Sequence, residues 1–229
     1  GRDDTFSFEM VVHQGSISFY IDLPIKYRSF IEQQIQAQFP QAQIEEMIDY
    51  NIFTEKSTIV GAYLYGKRPV AFPFKTYKTF DSDPLVASLN TLSKINEQHS
   101  SAAIQYVVRS ANKSWRDHGM RIVREVKGGK KLSDVISNSF GKSVLSGLGS
   151  MVSTIAVNPE KDKKDLGKQN DQHRLSAMEE EMLKGFEQKL SKGGLDVTMR
   201  VLCASDDPAL ARMHLDNLVN AYSQYNLYQ

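Results

Sequence analysis

The stretch TFSFEMVVHQGSISFYIDL, residues 5–23, carries the clearest secondary-structure signal in the chain. Apolar and polar residues alternate in both of its halves, and a period of two is typical of strands with one buried face. The halves meet at His13-Gln14-Gly15, where glycine allows a tight turn. The stretch therefore predicts a β-hairpin at the start of a sheet. The side chains expected on its buried face are Phe6, Phe8, Met10, Val12, Ile17, Phe19, Ile21 and Leu23.

Two cycles of strand and helix are predicted from the hairpin onward. Apolar residues at helical spacing in IKYRSFIEQQIQAQF predict a helix over 25–39, which Pro40 ends. Asp83-Pro84 predicts a second helix start, because aspartate caps helices and proline fits the first helical position. NKSWRDHGMRIVREV predicts an amphipathic helix over 112–126. The predicted strands of this region are 42–50, 57–65, 70–74 and 101–109.

The amino-acid composition changes between residues 128 and 193, where basic, Gly/Ser-rich and strongly polar stretches follow one another. A charged helix is predicted over 175–192, and a packed strand and helix return over 195–222. The sequence therefore predicts an α+β fold with a mostly antiparallel or mixed sheet, helices on one face and two similar strand–helix cycles. The predicted domains are a body over 1–127, a variable insertion over 128–193, and a final strand and helix over 194–229 that complete the body.

Composition narrows the classes of function. The formal net charge is +1, so electrostatic binding requires a local patch. The only cysteine, Cys203, excludes an intramolecular disulfide and lies in an apolar run typical of a buried structural thiol. No apolar stretch reaches the ~20 residues of a transmembrane helix. The opening GRDDTFSFEM has no initiator Met and no signal-peptide pattern, which indicates a piece of a longer protein.

The stretch SNSFGKS, residues 137–143, ends like a phosphate-binding P-loop. That motif needs Gly-x-x-x-x-Gly-Lys-[Ser/Thr] after a strand, because its glycines let backbone N–H groups surround the phosphates. The first glycine is replaced by Ile136, and GGKKLSDV before it predicts a loop that enters a helix. We therefore expect a non-enzyme without a cofactor. A nucleotide hydrolase that uses Lys142 is a weak alternative.

The histidines and the single cysteine show no metal-ligand spacing, so no metal site is predicted. Basic residues, in contrast, concentrate around the predicted helix 112–126. Such a helix suits phosphates or an anionic membrane surface, although a solvated outer face is the more ordinary interpretation. The candidate contact residues are Arg109, Lys113, Arg116, Arg121, Arg124, Lys127, Lys130 and Lys131.

The apolar segment VLSGLGSMVSTIAV, residues 144–157, is too short to span a bilayer. The sequence leaves open whether this segment contacts a membrane, another protein or the core of its own domain.

A family resemblance begins at the hairpin and continues through FIEQQIQAQFPQAQIEE, residues 30–46. The latter resembles F-V-E-x-Q-I-Y-A-Q-Y-P-D-A-x-I-E-E, which follows an F-E-I…I-R-F-Y-I…P hairpin ahead of the motor domain in bacterial proteins similar to type IV secretion and conjugative-transfer ATPases (HerA–FtsK class). Gln36 and Gln41 replace the Tyr and Asp of that pattern. FPFKTYKTFDSDPLVASLNTLSKI, AAIQYVVRSANKSWRDHG and residues 194–226 resemble later motifs of the same family in the same order.

The resemblance implies the non-motor amino-terminal domain of such a protein, with the P-loop motor beyond Gln229. It implies docking or oligomerisation at a membrane-associated secretion, pilus or DNA-transfer machine, on the cytoplasmic side of the inner membrane. The implied partners are proteins of that machine, the ATPase domain of the same protein, the membrane surface and further copies of the chain. The alternative, indicated by the basic residues themselves, is a module that contacts nucleic acid through the helix 112–127.

Overall fold

A five-stranded antiparallel sheet is the largest element of the structure. The computed structural model describes residues 4–48, 50–66, 69–74, 76–80, 83–140 and 175–225. The strands lie in the order β2-β1-β4-β5-β3, so β2 and β3 form the two edges. Their bounds are Thr5–His13 for β1, Ser16–Asp22 for β2, Thr58–Leu64 for β3, Ser101–Ser110 for β4 and Leu195–Ser205 for β5.

Six α-helices accompany the sheet in the described part of the chain, and the α+β prediction is confirmed. Strands of both predicted cycles join this single sheet, together with the returning strand β5. The helices are α1 (Arg28–Gln38), α2 (Leu85–Leu92), α3 (Ser114–Lys127), α4 (Leu132–Phe140), α5 (Ala177–Leu190) and α6 (Pro208–Ala221).

The described residues divide into two compact units. The first contains residues up to 65, 76–111 and 195–225, and therefore holds the whole sheet with α1, α2 and α6. The second contains 66–75 and 112–194, with α3, α4 and α5. The predicted body ran to residue 127, whereas α3 packs against α4 and α5 and so lies in the second unit.

The core of the first unit lies between one face of the sheet and helices α2 and α6. Met10 and Val12 of β1 pack there with Leu92 of α2 and with Leu215 and Leu218 of α6. Alternation along β1 directs Phe6 and Phe8 to this same face, as the hairpin pattern predicts. The end of β5 leads directly into α6, where the Asp207 carboxylate accepts a hydrogen bond from the Ala209 N–H at 2.9 Å.

The core of the second unit is an apolar cluster between α3, α4 and α5. Ile122 and Val126 of α3 pack there with Phe186 of α5, which confirms the amphipathic pattern predicted for 112–126. The segment 69–74 joins the cluster through Phe72, whose ring centroid lies 5.2 Å from that of Phe186. Lys189 holds this segment by donating hydrogen bonds of 2.6 Å to the carbonyls of Val70 and Phe72.

Two predicted strands are wrong. Residues 42–48 form no strand, and their side chains are mostly exposed, with Glu46 bound to Arg28 at 2.6 Å. Residues 70–74 are not a strand either, because Pro69 and Pro73 lack backbone N–H groups and the carbonyls between them bond to Lys189 instead. Short apolar runs do not by themselves distinguish strands from packed irregular segments.

Two predicted apolar stripes are also less buried than expected. No residue of α1 is fully buried, and Phe30 and Phe39 are exposed. The packed helix predicted within 195–222 is α6; its apolar residue Met213 is exposed, and its buried positions are Ala211, His214, Leu215 and Leu218.

The contact between Gly194 and Trp115 in the second unit yields a stability prediction. A Cβ atom at Gly194 would lie 2.3–2.5 Å from atoms of the Trp115 indole, so the ring must move. Gly194→Ala should lower the free energy of unfolding by about 1–3 kcal/mol, the usual cost of overpacking. Urea unfolding followed by circular dichroism measures this loss.

The neighbouring Gly193→Ala is the matched control, because a Cβ atom there has nothing within 4 Å. Its stability should stay within about 0.5 kcal/mol of the parent chain. Equal losses in the two variants would contradict the packing argument.

Candidate interaction surfaces

Helices α2 and α6 leave part of their sheet face uncovered. The register pairs Phe8 with Ile21 and Met10 with Phe19, so Phe8, Phe19 and Ile21 lie side by side on this face. Their exposed fractions are 40%, 65% and 37%, which is unusual for large apolar side chains on a sheet face that also builds the core. These three residues are called the hairpin patch below.

The uncovered face continues from the hairpin patch across the sheet. Phe6 pairs with Val108, and Val108 pairs with Val197, which is 53% exposed. Helix α1 stands beside this end of the sheet, and Phe30 and Ile31 form a groove of about 200 Å³ with Phe6, Val108 and Leu195. Exposed and adjacent apolar groups of this kind mark sites of protein contact more often than isolated ones do.

The outer side of α3 is cationic. Helical geometry directs Arg116, Arg121, Arg124 and Lys127 away from the buried stripe that contains Ile122, and all four are exposed. Asp117 adds an acidic side chain to that outer side, and the partly exposed Glu125 lies at its margin. In the described part of the chain, no carboxylate lies within 4.0 Å of the basic groups of Arg116, Arg121 or Arg124. This surface therefore has positive charge available for an anionic partner.

The eight basic residues predicted as one contact group are divided between the two units. Arg109 lies on β4 in the first unit and forms an ion pair of 3.6 Å with Asp196. Lys127 pairs with Glu187 of α5, and Lys130 pairs with Glu125 at 3.0 Å. The remaining five, all in the second unit and exposed, are Lys113, Arg116, Arg121, Arg124 and Lys131.

A polar cluster lies on the sheet face opposite to α2 and α6. Its centre is Glu9, which is largely buried and accepts hydrogen bonds from Ser7 at 2.8 Å and from the Gln105 amide at 2.5 Å. The Tyr50 hydroxyl donates to the second carboxylate oxygen. Tyr50 also stacks on Tyr20, with ring centroids 4.2 Å apart. The cluster thus fixes the irregular segment around residue 50 on the sheet.

The hydrogen bonds change the acidity of Glu9. Burial raises the pKa of Glu9. The hydrogen bonds from Tyr50, Gln105 and Ser7 and the charge of Arg200 lower it by more than burial raises it, so the pKa lies below the ordinary 4.5. A depressed carboxyl pKa stabilises the fold above the unfolded value, and this stabilisation is lost as the pH falls through the folded pKa. The cluster is therefore acid-sensitive.

The residues of the weak P-loop alternative fall at the edge of the described chain. Ile136, at the position of the first P-loop glycine, is buried in the α4 part of the second core. The loop predicted ahead of it does enter a helix, which is α4. Residues 141–143, with Lys142, and the apolar segment 144–157 lie outside the described residues.

Metal ligands, the cysteine and membrane-spanning helices are the other kinds of functional feature considered for the described residues. Within the described ranges, no group of three or more His, Cys, Asp or Glu side chains is arranged to hold a metal ion. Cys203 is buried, and burial raises its thiol pKa to about 12. No helix of those ranges is both long and apolar enough to cross a bilayer.

Comparison with known proteins gives one family. The model of a domain family of unknown function, DUF8128, matches residues 1–228. The chain belongs to this family. No curated protein and no solved structure matches it.

The hairpin patch is the feature that sequence reasoning missed. Alternation placed Phe19 and Ile21 on a buried face, but it does not indicate that β2 is an edge strand beyond the reach of α2 and α6. The short polar residues of β2, such as Ser16 and Ser18, were the available hint. They show only that the other face of this strand is more polar.

The polar cluster yields a pH prediction. Tyr50→Phe removes one donor to Glu9, so the Glu9 pKa should rise toward 4.5 and acid unfolding should begin at a higher pH. At neutral pH the variant should lose about 1.5–3 kcal/mol, the usual value of a hydrogen bond to a charged group. NMR titration of the Glu9 carboxyl and acid denaturation measure the two effects.

Tyr20→Phe is the control, because it keeps the ring that stacks on Tyr50 and leaves the donors to Glu9 in place. An unchanged Glu9 titration in Tyr50→Phe would refute the assigned cause of the shift.

Proposed function

We propose that this chain is a non-catalytic adaptor and assembly domain of a type IV secretion or conjugation-like ATPase. The observation that carries the proposal is the uncovered apolar sheet face, from the hairpin patch to Val197 and the groove beside α1. Burial of such side chains against another protein removes apolar surface from water, which is the main driving force of association.

The sequence resemblance supports the same proposal from a different direction. Residues 30–46 include most of α1, and residues 72–95 include α2. Residues 102–119 include most of β4, and residues 194–226 include β5 and α6. The resembling motifs therefore supply most of the first unit, which is the unit with the apolar face. In this proposal the first unit binds another protein through its apolar face, and the P-loop motor follows this chain in the same protein.

The reading frame after Gln229 tests the motor context. We expect a strand followed by Gly-x-x-x-x-Gly-Lys-[Ser/Thr] within a few tens of residues, because that motif builds the phosphate site that this chain lacks at Ile136. Sequencing of the locus reads this directly. A frame that stops or continues without such a motif would refute the motor context.

Binding of the purified downstream motor tests the docking role. The motor should bind this chain, and Val197→Lys should weaken the binding about tenfold or more, because a charge on the apolar face must be desolvated. Isothermal titration calorimetry measures the affinity.

Met120→Lys is the matched control for this titration. Met120 is also an exposed apolar side chain, but it lies on α3 in the second unit. Absence of binding, or equal effects of the two substitutions, would contradict docking through the sheet face.

A second candidate function is contact with nucleic acid through the cationic side of α3. The favouring observation is that Arg121 and Arg124 are exposed beside Arg116 with no described carboxylate near them. Phosphate binding by such groups releases counterions and so weakens steeply with salt.

Charge reversal tests this second candidate. Arg121→Glu/Arg124→Glu should weaken binding of double-stranded DNA and reduce the slope of log affinity against log salt by about 2. Fluorescence anisotropy over a salt series measures both. Lys94→Glu/Arg212→Glu, with the same change of net charge on exposed residues of the first unit, should leave the slope unchanged. Equal affinity of all three proteins at low salt would exclude α3 as the contact.

A further inference from the structure

The turn of the hairpin determines which backbone groups of β2 face outward. Gln14 and Gly15 both have positive φ, at 50° and 75°, and they join His13 and Ser16, which are register partners. A two-residue turn of this kind is closed by a pair that exchanges hydrogen bonds, and such pairs then recur at every second residue. Ser16, Ser18, Tyr20 and Asp22 therefore bond to β1, and the N–H and C=O groups of Ile17, Phe19 and Ile21 point to the free edge.

The free edge of β2 lacks the features by which edge strands avoid pairing. Such features are lysine, proline, bulges and inward-pointing charges. Between Ser16 and Asp22 the strand has no lysine and no proline, its register with β1 is unbroken, and its one charge is the terminal Asp22. Pro24 lies beyond its end. Among the described residues, no strand pairs with this edge of β2.

We propose that the occupant of this edge is a second copy of the chain, with the two β2 strands pairing antiparallel about a twofold axis at Phe19. This inference deepens the assembly part of the proposed function and rests on it. The pairing joins two five-stranded sheets into one continuous sheet. The hairpin patches of the two copies become neighbours on one face.

The register at Phe19 is complementary at every position. It pairs the outward backbone groups of Ile17 with those of Ile21 in the other copy, and those of Phe19 with Phe19, so each pair can exchange two hydrogen bonds. The same pairs place apolar side chains opposite one another on the exposed face. On the other face, Ser18 lies opposite Tyr20 and Ser16 lies opposite Asp22. No like charges lie opposite one another, so charge repulsion does not oppose the pairing of two copies.

The other edge strand, β3, is less suited to a second copy. Gly61 is at its centre, so twofold pairing there would place two glycines opposite each other with no side-chain contact. A Cβ at Gly61 would lie 2.7 Å from the Leu202 side chain, so the glycine serves the pairing of β3 with β5. Pairing through β2 is therefore the stronger of the two alternatives.

Sedimentation equilibrium of the 229-residue chain over a concentration series tests the proposal. We expect a monomer–dimer equilibrium whose dissociation constant rises about tenfold or more in Phe19→Lys, because two like charges then meet at the twofold axis. Tyr63→Lys, at an exposed position of β3, is the control and should leave the constant unchanged. Circular dichroism checks that each variant is folded.

Hydrogen exchange gives a test that needs no variant. The amides of Ile17, Phe19 and Ile21 should become protected as the concentration of the chain rises, whereas those of Ser18 and Tyr20, bonded to β1, should be protected throughout. A monomer at all concentrations, protection confined to β3, or dissociation by Tyr63→Lys but not by Phe19→Lys would each overturn the proposal.

The two proposals can fail separately. If the motor binds the chain but the chain stays monomeric, the pairing of β2 is refuted and the adaptor role stands. If the chain dimerises through β2 but no P-loop follows in the reading frame, the motor context is refuted and the pairing stands.

Discussion

Strand β4 pairs with β1 on one side and with β5 on the other, each over nearly its full length. The five-stranded sheet is therefore incomplete until residues 195–205 pair with β4, after the chain has passed through the second unit. Ser110 and Leu195 are register partners, so the chain leaves the sheet and comes back at neighbouring positions. Loop-closure entropy grows only slowly with loop length, so a long excursion at this point costs the sheet little more than a short one. Helix α6 and its core positions depend on this pairing, because β5 leads directly into α6.

Local patterns predicted those elements whose pattern and burial agree. The alternation of Phe6, Phe8 and Met10 predicted β1, and the Asp83-Pro84 pair predicted the start of α2. The apolar side of α3, with Ile122 and Val126, was also predicted correctly. In each of these places a repeating pattern or a capping residue reports directly on the local backbone.

The failures occur where tertiary contacts decide the conformation. Phe72 looked like a strand residue, but it enters the second core as part of an irregular segment that Lys189 holds. Phe19 looked buried, but its burial depends on the position of β2 in the sheet, which alternation does not encode. Arg109 lies in the first unit and the other seven basic residues lie in the second, so the cluster seen in the sequence crosses a unit boundary. Within α3 the basic residues share one helix.

Trp115 is the only tryptophan of the chain and lies in the second unit, against Gly194. The nine tyrosines among the described residues all lie in the first unit, and Tyr106 and Tyr222 share a hydroxyl–hydroxyl contact of 2.6 Å. The two units are therefore optically distinct. Excitation at the red edge of the indole band reports on the second unit alone, and tyrosine absorbance reports mainly on the sheet. The chain thus contains a natural pair of spectroscopic labels that can show whether its two units unfold together or one after the other.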